Sequence, residues 1–241
     1  MRFKQFKPLL IESGNVFPGT SSFDQAILPE VLTTVNNALS KTGLKVIPIG
    51  SGANPVKGKM SGDYDVMTDE GALMAFFQTN DAKEARRKLA DYFKSLGFDA
   101  AQTGVIVHVL VPMGKVNVQT DIMVAPNAED VSRFHQHSLP QNSPYKGTDK
   151  IIVMSGLAKL KNMMWSPYQG LFARKPDGKK GDLISQNIDD VAKTLIGPNA
   201  SGKDLGSVES IYAKLTPDVK EKLNAALAND AVWMQRRSEQ K

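Results

Sequence analysis

The sequence predicts an α+β protein, with a mixed β-sheet and flanking helices over about residues 21–140 and a mainly helical region over 141–241. Three observations carry this prediction. Apolar residues recur at helical spacing in Leu28, Val31, Leu32, Val35 and Leu39, and again in Ala85, Leu89, Tyr92 and Phe93. Between and after these stripes come short strand-like runs at 44–49, 62–67, 104–111 and 115–124. From residue 148 onward helical patterns dominate, at 148–162, 185–195, 205–215 and 217–229. The 241 residues, 41% hydrophobic and 23% charged, suit one large or two small globular domains.

In chain order, residues 1–20 form a basic and apolar N-terminal arm. Its apolar core is too short for a secretory signal, and no small-residue cleavage site follows. Ser21 or Ser22 caps a helix reaching about Lys41, with Pro29 as a break or kink and Gly43 as the stop. The run at 44–49 delivers a Gly50-Ser51 turn, followed by a polar loop carrying Lys57 and Lys59. Asp81 caps a helix that Gly97 ends, and a tight Pro112-Met113-Gly114 turn joins two strands into a hairpin. A short helix at 130–137 precedes a connector rich in Pro, Ser and Asn over 138–147. Thr148 caps the next helix, residues 165–181 form a loop or hairpin, and the Arg236-Arg237 tail is expected to fray.

The chemistry-bearing residues cluster in the first half. Glycine at position 50 permits close backbone approach to a ligand, and the Ser51 hydroxyl and amide are donors suited to phosphate oxygen. Asp63 and Asp65 stand two apart, so on a strand both carboxylates share one face. Like charges at that distance call for a cation, and hard divalent ions such as Mg²⁺ take oxygen ligands. Asp121 lies in a further strand-like run, with Asn117 and Gln119 at the same parity. His108, inside an apolar strand, reads as a hydrogen-bonded sheet residue, and His135 and His137 as incidental.

Ile49-Gly50-Ser51, Asp63-Tyr64-Asp65-Val66 and the later Asp121 together resemble the nucleotidyltransferase superfamily, whose fold is that of DNA polymerase beta. The resemblance covers about Phe23 to Ala125. It implies a nucleotidyltransferase-fold core in which Asp63, Asp65 and Asp121 hold two Mg²⁺ or Mn²⁺ ions. Gly50 and Ser51 then hold the phosphates of a nucleoside triphosphate. Its members often offer a basic side chain from a helix after the third aspartate, for which Lys146, Lys150 and Lys159 are the candidates, with Lys57 and Lys59 from the loop. The implied reaction moves a nucleoside monophosphate onto an acceptor hydroxyl and releases pyrophosphate. Separately, Leu10-Ile11-Glu12 before Ser13-Gly14 resembles sites cut by tailed-phage prohead proteases, implying a phage protein packaged in the virion.

Absence of cysteine excludes disulfides and thiolate metal sites and agrees with a reducing compartment, hence a cytoplasmic expectation. No run approaches the ~20 apolar residues of a membrane helix. The net charge is only +5, yet residues 143–180 carry eight Lys or Arg against two Asp. With Trp165, Tyr168 and Phe172 interleaved, that stretch suits a nucleic acid, gripped through phosphates and stacked bases. A transfer-RNA-like 3′ end is the favoured acceptor, while a protein hydroxyl or a small molecule fits the core equally. Two other classes stay open: a non-catalytic binding protein of the same fold, and a metal-dependent nuclease or phosphatase.

Overall fold

A computed structural model describes residues 16–135 and 143–239. The Leu10–Gly14 sequence, His137 and residues 138–142 of the connector lie outside the described residues. The first half contains β1 (Phe23–Asp24), α1 (Leu28–Leu39), β2 (Ile47–Pro48), β3 (Met60–Ser61), β4 (Tyr64–Asp69), α2 (Glu70–Phe76) and α3 (Ala82–Ser95). It continues through β5 (Asp99–Thr103), β6 (Ile106–Met113), β7 (Val116–Ala125) and α4 (Ala128–His135).

Five of these strands form a mixed sheet in the order β2-β4-β7-β6-β5, in which β4 and β7 are parallel and the other pairs antiparallel. The period of two sorts its faces. Val66, Val107, Val109, Val118, Ile122 and Val124 pack with Leu28, Val31 and Val35 of α1 and Leu89 and Phe93 of α3. On the opposite face Met67, Met123 and Ala125 meet Ile49 and are covered by Ala128 and Val131 of α4. Further along that second face the residues turn polar, to Asp65, His108, Gln119 and Asp121. The sheet therefore has one largely apolar side, which also buries Thr68 and Thr120, and one that is half core, half site.

The second half contains α5 (Gly147–Leu160), β8 (Met163–Ser166), β9 (Gly170–Arg174), β10 (Lys180–Ser185), α6 (Ile188–Leu195), α7 (Val208–Lys214), α8 (Pro217–Ala228) and α9 (Ala231–Glu239). Its core joins Val153, Met154 and Leu157 of α5 to Leu171, Val191, Leu195, Ile211, Leu223 and Leu227. Phe134 belongs to this second core, although Ala128 and Val131 of the same helix belong to the sheet. Thus α4 is shared between the two halves.

Several sequence expectations change here. Pro29 neither breaks nor kinks α1; it sits in the helix's first turn, where a missing N–H costs nothing. The residues before it, 23–27, form β1 and a 3₁₀ turn instead of the start of a long helix. The 44–49 run is regular strand only at Ile47–Pro48. Lys146, not Thr148, occupies the N-cap position of α5. The loop or hairpin read over 165–181 is part of a three-stranded antiparallel sheet of order β10-β9-β8, set within the mainly helical second half. The described part of the tail is helical through Glu239, and Arg236 Nε and Arg237 Nη2 reach the Asp149 carboxylate at 2.8 and 2.9 Å.

A candidate metal centre on the polar half of the sheet

The site rests on one register. Because β4 and β7 run parallel with Asp65 opposite Asp121, the two carboxylates stand side by side on the same face. Asp63 lies one residue before β4 at the same parity. A ligand oxygen from each of Asp63, Asp65 and Asp121 lies within 4.8 Å of the others. Three hard oxygen donors at that separation are placed to hold a metal ion.

The electrostatics agree with the geometry. Burial, then the Asp63 and Asp121 charges, push the Asp65 carboxyl up to about 8. A proton or a cation relieves that repulsion. Asp121 is buried and hydrogen-bonded: His108 Nδ1 lies 2.8 Å from its Oδ1, and Gln119 Nε2 donates to the same oxygen at 3.1 Å.

The Gly50-Ser51 turn reaches the pair through the backbone. The Ile49 N–H donates to the Asp65 carbonyl at 3.1 Å, after which residues 50–53 coil into a 3₁₀ turn closed by Gly52 N–H on the Ile49 carbonyl. Gly50 has φ +57°, and a Cβ there would stand 3.4 Å from Asp65 Oδ2. A Cβ on Gly52 would lie 2.4 Å from the ring of buried Tyr64. Gly52→Ala must therefore push the turn away from β4. We expect it to cost about 1–3 kcal/mol in urea unfolding. An unchanged midpoint would show that the turn is looser than this packing.

The candidate lysines do not converge. Lys57 and Lys59 are exposed on the loop before β3. Lys146 and Lys159 are exposed near opposite ends of α5, separated by about 20 Å of helix. Lys150 is fully buried, donates to the Phe134 carbonyl and lies 3.9 Å from the centre of the Phe134 ring. Burial pushes its ammonium down to about 6.

Tyr168, in the turn between β8 and β9, is the residue from the second half drawn to the aspartates. Burial and the Asp65 and Asp121 charges raise its phenol to about 12. Its ring stacks on His135, with centroids 5.1 Å apart and planes 5° from parallel. His135 itself is buried, bonds the Pro167 carbonyl through Nε2 at 2.9 Å, and is pushed down to about 4 chiefly by burial. It is a packing residue, not an exposed one at a helix end. Trp165 packs edge-on against Phe134, and Phe172 is buried beneath Lys180. Those two aromatic rings serve the interior rather than a base-stacking surface.

No protein-family model and no curated protein matches this sequence. Sequence parity pointed to the face of Asp121, whereas its partner His108 emerges only from the β6–β7 register, where the two residues are directly opposed. Among the described residues no helix is long and apolar enough to cross a membrane.

Proposed function

We propose that this chain is a metal-dependent nucleotidyltransferase of the DNA polymerase beta-like fold, acting on a nucleoside triphosphate. The observation that carries the proposal is the three-carboxylate cluster on adjacent strands with the Gly50 turn against Asp65. The donor set fits Mg²⁺ or Mn²⁺, because all three ligands are hard oxygens and Asp65 is strained by like charge. When bound, such ions would supply charge neutralisation at the phosphates and acidify the acceptor hydroxyl.

The chain's own residues have distinct tasks in this scheme. Asp63 and Asp65 would hold the ion that accompanies the triphosphate, and with Asp121 a second one. The Gly50-Ser51 turn would receive the β- and γ-phosphates. The acceptor oxygen then bonds the α-phosphorus as the bond to the pyrophosphate oxygen breaks.

A nucleic-acid 3′ end is the acceptor class best supported. Met163 pairs with Ala173 and Lys180 with Arg174, so the α5–β8 and β9–β10 turns share one end of the small sheet. Lys159, Lys161, Lys175 and Lys179 are exposed there, with Asp177 among them, while the Lys180 ammonium reaches back over Phe172 to Gln169. Tyr168 marks the opposite end of β9, roughly 13 Å away along the strand. A polyanion on the lysines would thus have a short path to the aspartates.

Label transfer tests the reading. Purified protein is incubated with α-labelled nucleoside triphosphates, Mg²⁺ or Mn²⁺, and separate RNA, protein and small-molecule fractions. The expected result is metal-dependent labelling of RNA with release of pyrophosphate. Label in another fraction would keep the chemistry and change the acceptor. No label, together with no metal-dependent triphosphate binding, would favour a non-catalytic protein. Phosphate-ester hydrolysis without pyrophosphate would favour a nuclease or phosphatase.

A further inference from the structure

The Asp121 carboxylate is held by more of the sheet than a metal ligand needs for folding. It lies in the middle of the sheet, between Asp65 on β4 and His108 on β6. Both side-chain donors that reach it, His108 Nδ1 and Gln119 Nε2, converge on the same oxygen, Oδ1. Oδ2 has no protein donor among the described residues. The donors are themselves fixed. His108 Nε2 lies 2.6 Å from Thr103 Oγ1 on β5, and Gln119 Oε1 accepts from the Val16 N–H at 2.7 Å. An ionised carboxylate only accepts, so His108 must carry its proton on Nδ1; in the neutral ring the Thr103 hydroxyl then donates to Nε2.

We infer that His108 and Gln119 are positioning residues, which pin one oxygen of Asp121 and thereby present the other to the metal cluster. The inference rests on the proposed metal centre and adds to it a role for two side chains that touch neither ion nor nucleotide. A carboxylate bonded at neither oxygen rotates about its side-chain torsions. It would have to lose that freedom each time an ion bound. With Oδ1 already occupied, the loss is made once, at folding. Partners of metal ligands that act in this way typically change metal affinity or activity 10–100-fold when removed. The opposed position on β6 suits histidine because its Nδ1 reaches across the ladder to Asp121 while Nε2 reaches Thr103 on the far neighbour, spanning three strands.

His108→Leu removes both ring nitrogens at similar bulk. His108→Asn keeps an N–H near the position of Nδ1. Gln119→Leu removes the second donor. Binding of Mn²⁺ alone is measured by electron paramagnetic resonance, with circular dichroism and thermal melts to establish folding. Crystal structures of wild type and His108→Leu in chelator report the Asp121 rotamer without reference to any ion.

The expected result is that His108→Leu binds Mn²⁺ about 10–100-fold more weakly and shows Asp121 rotated or split between rotamers. His108→Asn should recover most of the affinity, and Gln119→Leu should be intermediate. Wild-type Mn²⁺ affinity in a folded His108→Leu would overturn the role, as would an unmoved Asp121. Should His108→Leu not fold, Gln119→Leu and His108→Asn decide on the same two readouts. If the wild type itself takes up no Mn²⁺, the metal centre falls and the positioning role falls with it. That outcome differs from the one in which the wild type binds and the variants bind equally well.

Discussion

In chelator, the protein is expected to lose stability as pH rises from about 4 to about 8, and Asp65→Asn to abolish most of that loss. The Asp65 carboxyl is raised in the folded state to about 8 from an ordinary value of 3.8, by burial and by Asp63 and Asp121. A raised carboxyl favours folding fully below its unfolded pKa. The benefit drains away as pH passes through the folded value. Each unit is worth about 1.4 kcal/mol, so the ceiling is on the order of 5 kcal/mol. For a chain of this size that is a fall of about 10 °C or more in Tm. The Asp63 and Asp121 charges act on Asp65, so the slope reports the cluster rather than one isolated carboxyl. Mg²⁺ or Mn²⁺ should restore the wild type at pH 8 and leave Asp65→Asn little changed. In label transfer, the same variant should lose about a thousandfold in rate, since a catalytic ion contributes several kcal/mol. A flat metal-free melting profile from pH 5 to 8 would remove the like-charge cluster from the account.

The second large effect is structural. Asp149→Ala should cost about 3–5 kcal/mol in urea unfolding, among the costliest changes outside the apolar cores. Its side chain is fully buried in the first turn of α5. It accepts from the Lys146 N–H at 2.6 Å and from Arg236 Nε at 2.8 Å, and pairs with Arg237. Burial works to raise this carboxyl. The bonds from Arg236, the Lys146 amide and Arg237 outweigh it and hold the group below its ordinary value. A depressed carboxyl stabilises the fold above its unfolded pKa. That support is lost as pH falls below about 4 and through the folded value. Arg237 also lies against Tyr145 and Trp233, which stack on each other, 4.6 and 4.7 Å from the two ring centres. Truncation after Asp230 should also destabilise the fold, because it removes both guanidinium partners of that carboxylate. A urea midpoint unchanged in both variants would show α9 to be an ornament rather than a clasp.

Much of the fold was legible where local chemistry and tertiary packing agree. Asp81 both caps α3 in sequence and accepts from the Lys83 and Glu84 amides in the structure. The alternation of β6 and β7 marks one face apolar in sequence and buried in space. The short elements were not legible. Asp99–Thr103, with Ala100, Ala101 and Gln102, lacks the β-branched run of a strand and becomes β5 only by pairing with β6. The seven residues of α2 were likewise too few to show a period. In the candidate site, parity placed Asp63, Asp65 and Asp121 on chosen faces, and register brought those faces together. Lys150 shows the limit of such reasoning. Its place on a basic helix made it a candidate for the triphosphate, and only its contacts with the Phe134 carbonyl and ring of α4 show it to be buried.

The parallel pairing of β4 with β7 also governs when the aspartates can meet. Parallel neighbours cannot be joined by a tight turn, and here α2, α3, β5 and β6 intervene in the chain. During synthesis β4 emerges with only β2 as a strand partner in this sheet, and its far edge stays open until β7 follows. An open edge bearing Tyr64, Val66 and Met67 invites misassociation between nascent chains. Asp63 and Asp65 put charge at the start of that edge during the wait. The same carboxylates that repel Asp121 in the finished sheet would then serve earlier as gatekeepers against aggregation.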